Sequence, residues 1–147
     1  MSTYLSLHYH VVFSTKNRVQ CLTKDWRDSL HSYMSGTIKG LGGSPQSTDG
    51  WNDHVHLLFG LKATHAVADV VRELKKASTG WLQDNRGLRS FAWQEGYAAF
   101  TVGYREREMV RAYIDGQEEH HRVRGYKEEL LALLEESGVE YDPKYFI

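Results

Sequence analysis

Residues 4–13, YLSLHYHVVF, alternate as a β-strand does: Leu5, Leu7, Tyr9, Val11 and Phe13 fall on one face, and Tyr4, Ser6, His8, His10 and Val12 on the other. The first face is apolar. The second is mixed, neither a clean core face nor a clean solvent face. HVHLLF at 54–59 repeats this character, with Val55, Leu57 and Phe59 toward a core and His54, His56 and Leu58 facing away. Around these strands the spacing predicts helices. From about Asp25 to Lys39, Trp26, Leu30, Tyr33, Met34 and Ile38 recur at three and four, with Asp25 as the expected N-cap and Gly40, Gly42 and Gly43 as the stop. Over 64–83 the stripe is Val67, Val70, Val71, Leu74, Ala77, Trp81 and Leu82, with Thr64 as the expected cap. Residues 44–51 read as a weak, irregular strand with Asp49-Gly50 as its turn signal, and 91–93 and 97–102 as short extended pieces. Helices are expected over 106–120 and 126–136; Gly138 ends the second, and Pro143 forbids a helix across the tail. The order predicts an α+β fold: a ferredoxin-like or RRM-like antiparallel sheet with two helices on one face and a C-terminal helical addition.

The chain has 147 residues, 41% hydrophobic, a length that suits one domain over 1–147. Eighteen basic side chains against 19 acidic ones give a formal charge of −1. That excludes a basic tail or polybasic membrane anchor, though not a local basic patch. No apolar run approaches the roughly 20 residues that cross a bilayer. MSTYLSLHYH lacks the features of a secretion signal, and one cysteine, Cys21, excludes an internal disulfide and any site of several thiolates. A reducing cytoplasm is the expected location.

His54 and His56, two apart on a strand, project from the same face, and such imidazoles can converge on one divalent ion at little ordering cost. Two histidines hydrogen-bonded at a strand edge are the plain alternative. Asp53 is adjacent, but regular strand geometry points it the other way. In the third helix, Tyr113 and Gln117 lie four apart on one face, with Gly116 in mid-helix. A tyrosine oxygen is a poor nucleophile at neutral pH, with a reference pKa near 10. It becomes useful against a phosphodiester polarised by a metal, and the Gln117 amide oxygen is a candidate third ligand beside His54 and His56. An interfacial tyrosine and a surface glutamine explain the same spacing without chemistry.

Four ordered blocks bear on the choice: HYHVVFSTKNR at 8–18, NDHVHLLF at 52–59, GYAAFTV at 96–102 and YIDGQEEHH at 113–121. In them the chain resembles the IS200/IS605-type transposases, the small single-tyrosine members of the HUH endonuclease superfamily, over about residues 4–125. The resemblance implies Tyr113 as nucleophile, carried on the C-terminal helical part, and His54, His56 and Gln117 as ligands of magnesium or manganese. It further implies a dimer that cuts and rejoins single-stranded DNA beside a hairpin, through a covalent 5′-phosphotyrosine and with no nucleotide cofactor. A catalytically silent or repeat-specific DNA-binding relative is one alternative. A metal-dependent hydrolase without a covalent intermediate is another.

Family members that grip hairpins are often basic, whereas this chain is nearly neutral. Its cations cluster locally. From Leu61 to Arg89 six basic residues face three acids, and Arg72, Lys75 and Lys76 form one candidate phosphate contact. Lys16 and Arg18 after the first strand form a second. Trp93 and Tyr97, placed in loop or edge positions, are candidates for stacking on unpaired bases. The acid-rich stretch 128–136 is expected to stay away from DNA. His8 and His10 read as satisfied sheet histidines, and His120 and His121 as a favourable helix end.

Overall fold

The alternation in YLSLHYHVVF becomes a strand only where it has neighbours. In the computed structural model, which describes residues 2–121 and 124–143, β1 (His8–Ser14) lies between β3 (His54–Gly60) and β4 (Ala98–Val102), and β2 (Ser44–Gly50) lies outside β3. All pairings are antiparallel, in the order β2-β3-β1-β4. Residues 4–7, expected in the strand, stay outside it. His8 already pairs with Gly60 and Val102, the last residues of both neighbours. Beyond it the Leu61 amide donates to Leu7 O (2.9 Å), while Tyr4 and Leu5 are exposed. The weak strand at 44–51 forms with a register shift between Pro45 and Ser47.

One sheet face is the expected core. Val11, Phe13, Val55, Leu57 and Phe59 are buried against α1 (Arg27–Gly40) and α2 (Val67–Arg86), which supply Leu30, Met34, Ile38, Val70, Val71, Leu74 and Leu82. Burying each such side chain contributes about 1.5–3 kcal/mol. Both expected caps move. α1 begins after Trp26, and the Asp25 carboxylate instead accepts from the Thr23 hydroxyl (2.6 Å). α2 begins after Ala66 rather than Thr64. The His65 ring holds the preceding turn, accepting from Lys62 N (2.9 Å) and donating to Leu41 O (2.8 Å), which delays the helix.

The mixed face is covered as well. The expected helix over 106–120 is two pieces, α3 (Arg107–Asp115) and α4 (Gln117–His120), broken at Gly116, where a Cβ would sit 3.3 Å from Ala112 O. α5 (Tyr126–Glu136) follows and ends toward Gly138 at φ +66°. Leu58 and Val102 pack on Ile114, while Val12 and Phe100 pack on Tyr126, Leu130 and Leu134. The C-terminal addition is therefore the second layer over the sheet. Of the tail, 144–147 lie outside the described residues. Among the described residues, no helix is long and apolar enough to cross a membrane.

Candidate metal and tyrosine site

The site stands on the mixed face, where β3 begins. The hairpin into β3 is tight: a Cβ on Gly50 would lie 2.2 Å from His54 O, so only glycine fits beside the first histidine. His54 and His56 emerge together, fully buried. Each has its Nδ1 engaged. His54 Nδ1 donates to Asp53 Oδ1 (2.7 Å), and His56 Nδ1 accepts from His10 Nε2 (2.8 Å). Both Nε2 atoms are thereby aimed at the helices above, and the Asp53–His54 pair is the carboxylate–histidine arrangement that orients a metal-ligating imidazole.

What they meet is Glu129 of α5. Its Oε1 lies 2.9 Å from His56 Nε2, 3.2 Å from His54 Nε2 and 3.3 Å from His121 Nε2. Its Oε2 accepts from the Tyr113 hydroxyl (2.5 Å) and the Gln117 amide (3.0 Å). Gln117 Oε1 accepts in turn from His54 Nε2 (3.1 Å) and His121 Nε2 (3.0 Å). Donors about 2.1 Å from one ion, at tetrahedral to octahedral angles, stand about 3.0–3.4 Å apart. The spacings here match that. His54, His121 and Glu129 form a cluster able to coordinate a divalent metal, and a mixed imidazole-and-oxygen set suits such an ion.

Charge in the site is balanced internally. Burial works against a charged His54, but the Asp53 and Glu129 carboxylates outweigh it and hold the imidazole up to about 9. Burial pushes His56 down to about 4 against the pull of Glu129, and burial with the neighbouring His56 pushes His10 down to about 3. Burial alone would raise Glu129; hydrogen bonds from His121, His54 and His56 reverse that and keep it ionised. Burial and the Glu129 carboxylate push the Tyr113 phenol up.

Four sequence-selected residues thus meet around one point within a single chain: Tyr113, His54, His56 and Gln117. The nucleic-acid candidates are scattered. Lys16 and Arg18 are exposed on a short turn after β1, with Asn17 (φ 57°) and Arg18 (φ 53°) in the left-handed region. Arg72, Lys75 and Lys76 lie on α2, across the sheet from the histidines. Arg72 is paired with Asp69 (2.9 Å), and Lys76 is exposed. Lys75 is a structural clamp rather than a free cation: its Nζ donates to Gln94 O (2.8 Å) and Gly96 O (2.6 Å). Tyr97 is exposed. Trp93 is not open to a base. It is buried, bridges to Thr15, donates to Ser78 Oγ (2.9 Å), and makes edge contacts with Phe13 and Phe91.

Asp53, His121 and Glu129 run against the expectations drawn from sequence, whereas His10 is the satisfied sheet histidine expected, bonded to His56. Asp53 reaches His54 because β3 begins there, before strand alternation constrains it. His10 and His121 join the cluster. Glu129, in the stretch expected to stay away from DNA, is its centre. A signal existed: in α5 Tyr126, Leu130, Leu133 and Leu134 form a stripe at spacings of three and four, and 129 falls on that same face.

The family described as Transposase IS200 like matches residues 3–117. The ISDra2 transposase TnpA of Deinococcus radiodurans is 28% identical over 117 residues, covering 76% of this chain and 84% of that one. Among solved structures, a protein assigned as a transposase from Deinococcus radiodurans R1 is similar at 27% identity, with 80% of this chain and 95% of that chain covered and a TM-score of 0.64. A REP-associated tyrosine transposase bound to a REP hairpin shares the fold, at 17% identity, 82% and 74% coverage and a TM-score of 0.61. With the family match running from the N-terminal segment to Gln117 and the same fold in its relatives, the chain belongs to the IS200/IS605-type single-tyrosine transposases of the HUH endonuclease superfamily.

Proposed function

We propose that this chain is a divalent-metal-dependent endonuclease and strand transferase for single-stranded DNA, acting through a covalent 5′-phosphotyrosine on Tyr113. One observation carries the reading. The Tyr113 hydroxyl and the Nε2 atoms of His54 and His56 all lie within hydrogen-bond reach of one carboxylate, and Gln117 Oε1 lies 3.1 Å from His54 Nε2, so nucleophile and metal donors are about one phosphate apart.

His54, His56 and Gln117 would hold magnesium or manganese, with His121 and Glu129 beside them. The ion supplies charge stabilisation to the phosphoryl oxygens and the departing 3′-oxygen. The chain's own residues do the rest. Asp53 and His10 fix the two imidazoles. α3 presents the phenol, which gives up its proton and bonds to phosphorus as the P–O3′ bond breaks, and the 3′-oxygen leaves as a hydroxyl. A second 3′-hydroxyl reverses the step, so no nucleotide cofactor is needed. The substrate is a single strand next to a hairpin, passing Lys16, Arg18 and the exposed Tyr97, with Arg72 and Lys76 on a separate outer surface. The REP hairpin held by a relative of the same fold supports this choice. The working unit is one domain over 1–147, paired as a homodimer in the cytoplasm, away from membranes.

A second reading, a catalytically silent DNA binder, is favoured by one observation: the donors are fully buried under α5. Labelled single strands from DNA flanking the gene, incubated with magnesium or manganese and run on a denaturing protein gel, separate the two. Active chemistry gives a metal-dependent, heat-stable protein–DNA band that is absent from Tyr113→Phe. A hydrolase without a covalent intermediate gives cleaved strand, no band, and activity that survives Tyr113→Phe.

A further inference from the structure

Attack on a phosphodiester requires that group to lie between the metal-donor side chains and Tyr113, yet His54, His56, Gln117 and Glu129 have no solvent exposure. What covers them is α5. Tyr126, Leu130 and Leu134 dock on Val12 and Phe100, and this lays Glu129 over the histidines. The carboxylate makes a distinctive set of contacts. One oxygen sits among three imidazole nitrogens at 2.9–3.3 Å, and the other meets the nucleophile's hydroxyl at 2.5 Å. A scissile phosphodiester would have to do the same, with one oxygen toward the metal donors and the remainder against the tyrosine.

We propose that the bed of α5 is the seat of the scissile phosphodiester, and that Glu129 is its intramolecular surrogate, displaced with α5 when a single strand binds. This rests on the reading of Tyr113 as the nucleophile. Charge supports the exchange. A carboxylate and a phosphodiester each carry one negative charge, so the substitution leaves the charge facing the histidines and Tyr113 unchanged. The mounting of α5 supports it too. Its N-terminus carries no side-chain cap, the exposed Gly125 precedes it, and beside the Glu129 contacts that a phosphodiester would replace it packs on the sheet through Tyr126, Leu130 and Leu134. Arg18 is exposed on the turn after β1, a cation available to the phosphates of an incoming strand.

The test uses three full-length proteins: the parent, Glu129→Gln, and Leu130→Asp, which loosens α5 without touching a donor. Binding of a fluorescein-labelled random-sequence single strand is read by anisotropy with manganese present. Formation of the Tyr113 adduct with the flanking strands is timed, and hydrogen exchange reports on α5. Both variants are expected to bind at least tenfold more tightly and to form adduct faster, and the single strand is expected to speed exchange in α5 of the parent. If Leu130→Asp does not fold, the near-isosteric Glu129→Gln carries the comparison. Adduct formation by the parent with α5 still protected, or variants that neither bind nor react better than a reactive parent, overturns the inference and leaves Tyr113 its role. No adduct from any protein, including one whose α5 exchanges freely, overturns the nucleophile reading and the inference with it.

Discussion

The two faces of the sheet are built from the same strands, one residue out of phase, and obey different rules. Under α1 and α2 lie Val11, Phe13, Val55, Leu57 and Phe59, which need only volume and shape. On the other face lie His10, His54 and His56, met by Gln117 of α4 and Glu129 of α5, each needing a partner in a particular direction. Alternation at period two is enough to specify the first face. The second is specified by pairwise hydrogen bonds between residues up to 73 positions apart, and burying such groups unpaired would be costly.

The largest stability effect should come from the apolar face. Phe13→Ala is expected to cost about 3–5 kcal/mol, read as a lower denaturant midpoint, because the ring is fully buried and meets Trp93 edge-on at 4.8 Å between centroids. A near-neutral result would mean the two layers do not share β1 as their common support. His56→Ala should cost less, about 1–3 kcal/mol, by leaving His10 and Glu129 short of a partner. Its signature is different: manganese at about 100 times its Kd should stabilise the parent by about 2.7 kcal/mol, and this thermal shift should vanish in the variant. An undiminished shift would place the ion elsewhere.

Acidity sharpens the contrast, in the metal-free protein. His10, His31 and His56 are held down to about 3, 4 and 4, chiefly by burial. Below about 6.5 the unfolded chain takes up protons that the native chain refuses, so stability falls as pH drops toward 4, by about 1.4 kcal/mol per unit for each group. Glu129, held low by its imidazoles, adds a loss at the acid end. His54 has the opposite sign: raised to about 9, its contribution is complete below 6.5 and disappears as pH rises through 9. Stability should therefore peak near neutrality. His56→Ala should flatten the acid limb in urea titrations at several pH values, whereas Phe13→Ala should lower the curve without reshaping it. The smallest effect belongs to the outer surface of α2. Lys76→Ala should stay within about 0.5 kcal/mol, with Lys75→Ala clearly worse because it frees the carbonyls of Gln94 and Gly96.

The same contrast explains what was legible in the sequence. The order of elements along the chain, both core helices and the convergence of His54, His56, Tyr113 and Gln117 follow from periodicity, from spacing and from a family resemblance carried by four short blocks. Helix starts were misplaced where side chains such as Thr23 and His65 bonded locally in ways no spacing announces. Trp93 was misread because its loop folds inward to pair with Thr15. Glu129 lies beyond the family match, which ends at 117. Its position on the apolar stripe of α5 was the available clue, and the surrounding acids Glu128, Glu135 and Glu136 masked it.

The central claim is that Tyr113 becomes covalently joined to DNA. The most direct measurement digests the manganese-treated protein–oligonucleotide mixture with trypsin and nuclease, then sequences by mass spectrometry the peptide that begins at Ala112. The account predicts a nucleotide 5′-phosphate on Tyr113, with the modification lost in Tyr113→Phe and when His54 and His56 are both replaced by Ala. Cleaved strand accompanied by an unmodified Tyr113 peptide, or a nucleotide carried on another residue, would contradict it.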